Sequence, residues 1–399
     1  MTTSAEKMRA WSGPAILGFA IRPFFLLGAI WAALAMALWA AMLSGRDVLA
    51  TAFDPVSWHA HEFIFGYLGA VLAGFLLTMT PNWTGRLPVV GWPLAGLVSL
   101  WLAGRGAVAA SQFAPWGLVM AVDLAFPVVL VAALLREVVA GRAWTSLPVL
   151  GLAAGMILGN ALFHLAAARG GDPAGGAGLR LGVGVAVMLI SLVGGRIIPS
   201  FTRNWLARRG GRDLPAPHGR ADAAVLGLTL AALAVWVARP EHPAIVAVFP
   251  LAAAAQGWRL SRWAGRRARA EPLILALHAG YAFAPLGFLA VAAGRLAPGM
   301  APAALHVWMA GAVGLTTLAV MTRAGLRHAG RPLRASRPIA ALYGALIVSV
   351  LARLGAGAFP AQGWLTYLAA AAWIAAFGGF AALFWPILAR PRRARPGRE

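Results

Sequence analysis

About twelve stretches of this chain stay apolar for roughly 20 residues, the length a helix needs to cross ~30 Å of hydrocarbon. They lie near residues 21–43, 57–80, 90–110, 116–139, 147–168, 179–200, 222–239, 243–262, 272–294, 301–324, 337–356 and 364–388. Pro81, Pro88, Gly170–Gly171, Pro215–Pro217, Pro240, Pro298 and Pro332 fall at or near the breaks, where turns are expected. The chain therefore reads as all-α, a polytopic membrane protein with about 12 transmembrane helices. The longest connection, roughly 201–221, is too short to fold alone. One transmembrane domain, 1–399, is expected, with possible halves 1–205 and 220–399.

Composition agrees. Of 399 residues 60% are hydrophobic and 12% charged, about half the charge of an average soluble domain (~25%). That excludes a soluble or disordered chain. The absence of cysteine excludes disulfides, thiolate-held clusters, covalent c-type haem and cysteine nucleophiles. The polar start, with Glu6, Lys7 and Arg9, leads into an apolar run too long for a signal peptide, so the first helix is expected to be retained.

The net charge of +22 comes from 34 Lys plus Arg against 12 Asp plus Glu. In a soluble protein it would suggest nucleic acid; here it sits in short loops. Arg203, Arg208, Arg209, Arg212 and Arg220 follow helix six. Arg262, Arg266, Arg267 and Arg269 follow helix eight. Arg327, Arg331, Arg334 and Arg337 follow helix ten, and Arg390, Arg392, Arg393, Arg395 and Arg398 form the tail. The odd loops hold one or two, such as Arg46, Arg239 and Arg295. The even loops and both termini are thus expected in the cytoplasm, and nucleic acid is dismissed as a partner. The lipid bilayer is the surrounding medium, and a bacterial inner membrane is the expected location.

Polar groups within a membrane are costly and mark function by default. Of eight histidines, His218 and His242 lie in loops. His59 and His61 open helix two in Trp58-His59-Ala60-His61-Glu62. Two residues apart on a helix, they point about 200° apart. They face two sites, or share one if the first turn is irregular. His164 ends helix five, one turn after Asn160, and His306 is near the start of helix ten. The inferred topology puts these four imidazoles in the periplasmic third, as a haem or copper site requires; imidazole suits iron, copper and zinc alike. His278 lies about two turns in from the cytoplasmic side with Tyr281 three residues on. That pair can ligate and donate a proton, or simply bond within the core. His328 ends helix ten near Arg323 and Arg327. Arg22, Arg86, Arg196 and Arg323 lie toward the cytoplasmic side and suit carboxylates such as haem propionates, or serve as positive-inside anchors. Glu62 and Asp123 are the carboxylates on the periplasmic side; Glu62, beside the histidines, is the better proton carrier.

Several longer motifs resemble the NnrS family. They are Arg22-Pro23-Phe24-Phe25, Trp58-His59-Ala60-His61-Glu62-Phe63-Ile64-Phe65-Gly66, Gly74-Phe75-Leu76-Leu77-Thr78 and Pro81-Asn82-Trp83-Thr84-Gly85. To these add Gly195-Arg196-Ile197-Ile198-Pro199-Ser200-Phe201-Thr202, His278-Ala279-Gly280-Tyr281, Leu305-His306 and Ala319-Val320-Met321-Thr322-Arg323-Ala324. The resemblance implies a haem- and copper-containing membrane protein of nitric oxide metabolism and protection from nitrosative stress. It implies haem b and copper ligands among His59, His61, His164, His278, His306 and His328. Phe63 stands where the family usually has methionine, which argues against a thioether ligand there.

Three functions follow as expectations. The first is reduction of nitric oxide to nitrous oxide, with protons passing Glu62 and electrons from quinol or a periplasmic donor. The second is a sensor or scavenger that binds nitric oxide without turnover. The third is a transporter of a metal, haem or small anion.

Overall fold

The computed structural model describes residues 11–391; the arginines at 392, 393, 395 and 398 and the polar start at 1–10 lie outside them. Among the described residues every regular element is helical, and a helix stands at each of the twelve apolar runs. We number them α1 Ile21–Leu43, α2 Pro55–Thr84, α3 Trp92–Ala109, α4 Trp116–Ala140, α5 Leu147–Ala168, α6 Ala177–Ala207, α7 Arg220–Ala238, α8 Ile245–Ser261, α9 Pro272–Leu296, α10 Ala301–His328, α11 Arg337–Ala358 and α12 Trp364–Leu388. Ten are long and apolar enough to span a membrane by length and composition; α3 and α8 fall short of that measure. α3 carries Arg105 within its run, and α8 has only 17 residues.

Local chemistry sets the ends. Asp54 caps α2 by accepting from the Val56 and Ser57 amides, with Pro55 in the first turn. Glu271 caps α9 through the Leu273 amide, ahead of Pro272. The outward faces carry exposed leucines and valines, Leu118, Val128, Leu158, Leu230, Leu251 and Leu351 among them. That is the surface an acyl chain covers and water does not.

Three helices contain π-helical segments: Glu62–Tyr67 in α2, Ile190–Gly194 in α6 and Val307–Leu315 in α10. Such segments shift the register of everything beyond them and gather at functional sites. In α2 the Gly66 carbonyl accepts from Trp101 Nε1 at 3.0 Å, so a side chain from α3 satisfies the irregular turn.

Packing divides the chain into two compact units. The first holds residues 11–171, 321–333 and 377–391, and so α1 to α5. Its core is built on Phe24, Phe25, Trp58, Tyr67 and Trp101. The second holds 172–320 and 334–376, and so α6 to α9 and α11. There Trp236, Phe249, Phe288 and Trp308 meet edge to face, with ring centroids 4.9–6.5 Å apart.

Candidate metal centre

In the first unit five helices deliver polar side chains to one buried point. His61 and Glu62 come from the turn of α2 where the π segment begins, Arg105 from α3, Asp123 from α4, Asn160 and His164 from α5, and Trp31 from α1. Asp123 is central. Its Oδ2 lies 3.1 Å from both His61 Nε2 and His164 Nε2 and accepts from Asn160 Nδ2 at 2.7 Å. Its Oδ1 accepts from Arg105. Glu62 Oε1 accepts from Arg105 at 2.6 Å and faces His61 Nδ1 at 3.0 Å, while Oε2 accepts from Trp31 Nε1 at 2.8 Å. His61, Glu62 and His164 are fully buried and Asp123 nearly so.

The ligand atoms of His61, Asp123 and His164 all lie within 4.8 Å of one another, close enough for one ion. Glu62 Oε1 accepts a hydrogen bond from His61 Nδ1, and Nε2 faces Asp123; a carboxylate behind an imidazole is the usual support of a metal-binding histidine. Phe53, Phe65 and Phe163 pack on the His61 ring with centroids 5.4–5.7 Å away and keep the cluster dry. Gly66 leaves room for the guanidinium, since a Cβ there would stand 2.5 Å from Arg105 Nη1.

Of the four histidines expected at one depth, His61 and His164 meet in the first unit. The His61 and His164 rings are 5.0 Å apart. His59 points away, its ring between Trp39 at 4.4 Å and Phe63 at 4.6 Å, because two helical steps turn it to another face. His306 belongs to the second unit, where its Nδ1 donates to the Pro302 carbonyl at 2.7 Å.

His278, also in the second unit, donates from Nε2 to Thr202 Oγ1 at 2.9 Å, while that hydroxyl donates to the Ile198 carbonyl. Its Nδ1 faces Gly265, where any Cβ would come within 2.6 Å. Tyr281 bonds elsewhere: its hydroxyl donates to Gln256 and accepts from Arg259 Nη1 at 3.1 Å. Arg259 is fully buried, pairs with Asp222 at 2.7 Å and reaches the Ser191 carbonyl in the π segment at 2.6 Å. Gln256 completes this second polar core through Ser191 and Thr229.

The remaining arginines and His328 lie on other helices and helix ends. Arg22 Nη1 donates to the carbonyls of Ala15, Leu388 and Arg390, closing the end of α12. Arg196 is exposed on α6, and Arg323 is half-buried on α10. His328 packs on Phe19 with centroids 4.3 Å apart. Arg86 pairs with Glu137.

Arg105, Asp222, Gln256 and Arg259 escaped the sequence reading. Charges within apolar runs were the available signal, and Arg105 inside 90–110 meets it.

Two comparisons bear on these sites. A family model described as NnrS protein matches residues 15–392, nearly the whole chain. No curated protein matches.

Proposed function

Because the chain belongs to the NnrS family, whose membrane proteins are linked to nitric oxide metabolism, we propose that it reduces nitric oxide in the bacterial inner membrane. The buried His61–Asp123–His164 cluster carries this reading. Two imidazoles and a carboxylate converge at one buried point, and such a donor set fits a transition ion, copper included. His61, Asp123 and His164 would hold the ion, which when bound supplies a Lewis-acidic seat for nitrogen oxides. Haem b, the second group the family resemblance implies, would draw on His306, whose Nδ1 donates to the Pro302 carbonyl. His278 does not fit that role, because its Nε2 donates to Thr202 Oγ1 and its Nδ1 lies against Gly265.

Reduction joins two nitric oxide molecules into nitrous oxide and water and takes up two electrons and two protons. This chain's residues serve three needs of that reaction. The apolar helices admit a small neutral gas from the bilayer. Phe53, Phe65 and Phe163 exclude water from the cluster. Glu62 orients His61 and, with Arg105 and Trp31 on its oxygens, holds a carboxylate next to the reacting region where protons must arrive. Electrons come from quinol or a periplasmic donor.

The test is turnover by the detergent-purified protein with an artificial reductant and nitric oxide, with nitrous oxide read by gas chromatography. Nitrous oxide formation that disappears in His61→Ala supports the proposal. Tight binding of nitric oxide without nitrous oxide would overturn reduction and leave a scavenger or sensor.

A further inference from the structure

We infer that the arginine-rich end of the second unit, built from residues 203–222, 262–271 and 334–337, is a binding surface for the phosphate head groups of anionic phospholipids. The inference is independent of the metal centre, which lies in the first unit.

Three observations carry it. The first is that these segments form one surface. The Arg262 carbonyl accepts from the Ala216 amide at 3.2 Å, Arg203 Nη2 donates to the Pro215 carbonyl at 2.9 Å, and Arg267 Nη1 donates to the Asp213 carbonyl at 3.0 Å. The Ala335 amide donates to Glu271 Oε1 at 3.0 Å and ties in the third segment. The second observation is uncompensated charge. The carboxylates of these segments are committed: Asp213 to Arg267 at 2.7 Å, Asp222 to Arg259 at 2.7 Å, and Glu271 to the amides of Leu273 and Ala335. Arg208, Arg212, Arg220, Arg266, Arg269 and Arg334 are exposed, and among the described residues no carboxylate pairs with them. Guanidiniums gathered at one end of a helical unit create a positive field that draws anions to it. The third observation is depth. Arg209 lies over the Trp205 ring at 3.9 Å and Arg262 over the Trp258 ring at 4.7 Å, each about one turn beyond its tryptophan at the end of α6 or α8. Tryptophans settle where hydrocarbon meets head groups, so the guanidiniums above them lie at the level of lipid phosphates. A guanidinium receives a phosphate through two parallel N–H donors. Leu251, two turns before Trp258 on α8, is exposed like it and offers an acyl chain an apolar wall below the phosphate. That wall favours a lipid over a free phosphate ion.

The experiment uses the full-length protein, delipidated in detergent and titrated with phosphatidylglycerol or phosphatidylcholine in mixed micelles, with bound lipid counted per chain by native mass spectrometry. Phosphatidylglycerol should bind and phosphatidylcholine should not compete with it. A triple variant, Arg208→Gln with Arg212→Gln and Arg266→Gln, should bind phosphatidylglycerol roughly 100-fold more weakly, at about fivefold per arginine. A second triple variant, Arg46→Gln with Arg169→Gln and Arg239→Gln, removes the same charge at exposed positions elsewhere and should bind as the unaltered protein does. Equal retention of the two lipids would overturn the inference, and so would equal weakening in the two triple variants, which marks net charge rather than this surface. Displacement of phosphatidylglycerol by equimolar inorganic phosphate would leave a simple anion site and overturn the lipid. Binding of polyglutamate without binding of phosphatidylglycerol would overturn it in favour of an acidic protein partner. Should the first variant fail to accumulate, the unaltered protein decides by salt: affinity for phosphatidylglycerol should fall steeply between about 50 mM and about 500 mM salt, and an affinity that stays constant overturns the inference.

Discussion

Replacing Arg105 by methionine tests the polar core of the first unit most directly. The guanidinium is buried and bridges Glu62 to Asp123. Methionine keeps much of the aliphatic volume but leaves two carboxylates facing each other. Removing one partner of a buried pair destabilises by about 3–5 kcal/mol, because the remaining charge is uncompensated. At 1.4 kcal/mol per tenfold, the unfolding constant should rise by roughly two to four powers of ten. Titration of purified protein with a denaturing detergent, followed by tryptophan fluorescence, reads this shift; Trp31 and Trp101 lie on the cluster and report its opening. Adding Glu62→Gln to Arg105→Met removes one of the opposed charges and should recover about 0.5–3 kcal/mol relative to additivity, the range found for directly contacting residues. A single Arg105→Met change that alters stability by less than ~0.5 kcal/mol, as an ordinary surface substitution does, would refute the assignment of Arg105 as the counter-ion. So would strict additivity with Glu62→Gln.

Further outcomes follow from the same structure. His61→Ala should strip the cluster of metal while His59→Ala leaves its metal content unchanged, since His59 packs on Trp39 and Phe63; elemental analysis of both variants separates the two. Gly265→Ala should displace His278, because the new Cβ would stand 2.6 Å from Nδ1. Overpacking of that kind costs about 1–3 kcal/mol, and a lowered melting temperature is the expected readout. Asp222→Asn leaves the buried Arg259 with a neutral partner and should destabilise the second unit by about 3 kcal/mol or more, visible as earlier proteolysis within residues 172–320. Arg22→Ala releases the Ala15 carbonyl and two carbonyls at the end of α12 and should cost roughly 1–3 kcal/mol, seen as faster hydrogen exchange near Leu388 with the cluster's metal content intact.

The twelve helices, their breaks and the membrane they imply could be read from the sequence by itself. Hydrocarbon leaves the backbone no partner but itself, so an apolar run of the right length has one outcome. The divergence of His59 from His61 also follows from helical periodicity alone. Which histidines meet does not. Depth inferred from topology grouped His59, His61, His164 and His306, yet depth is one coordinate of three. Helix rotation and the register shift at Glu62–Tyr67 bring His61 to His164 and Asp123, and His306 folds into the other unit. Arg105 and Arg259 show the same limit. Each is a single charge in an apolar run, and only the neighbouring helix, with Asp123 or Asp222 at the matching level, makes it half of a buried pair. Long-range pairing of this kind depends on how helices pack, and packing is set by surfaces too far apart in the chain for local spacing to encode.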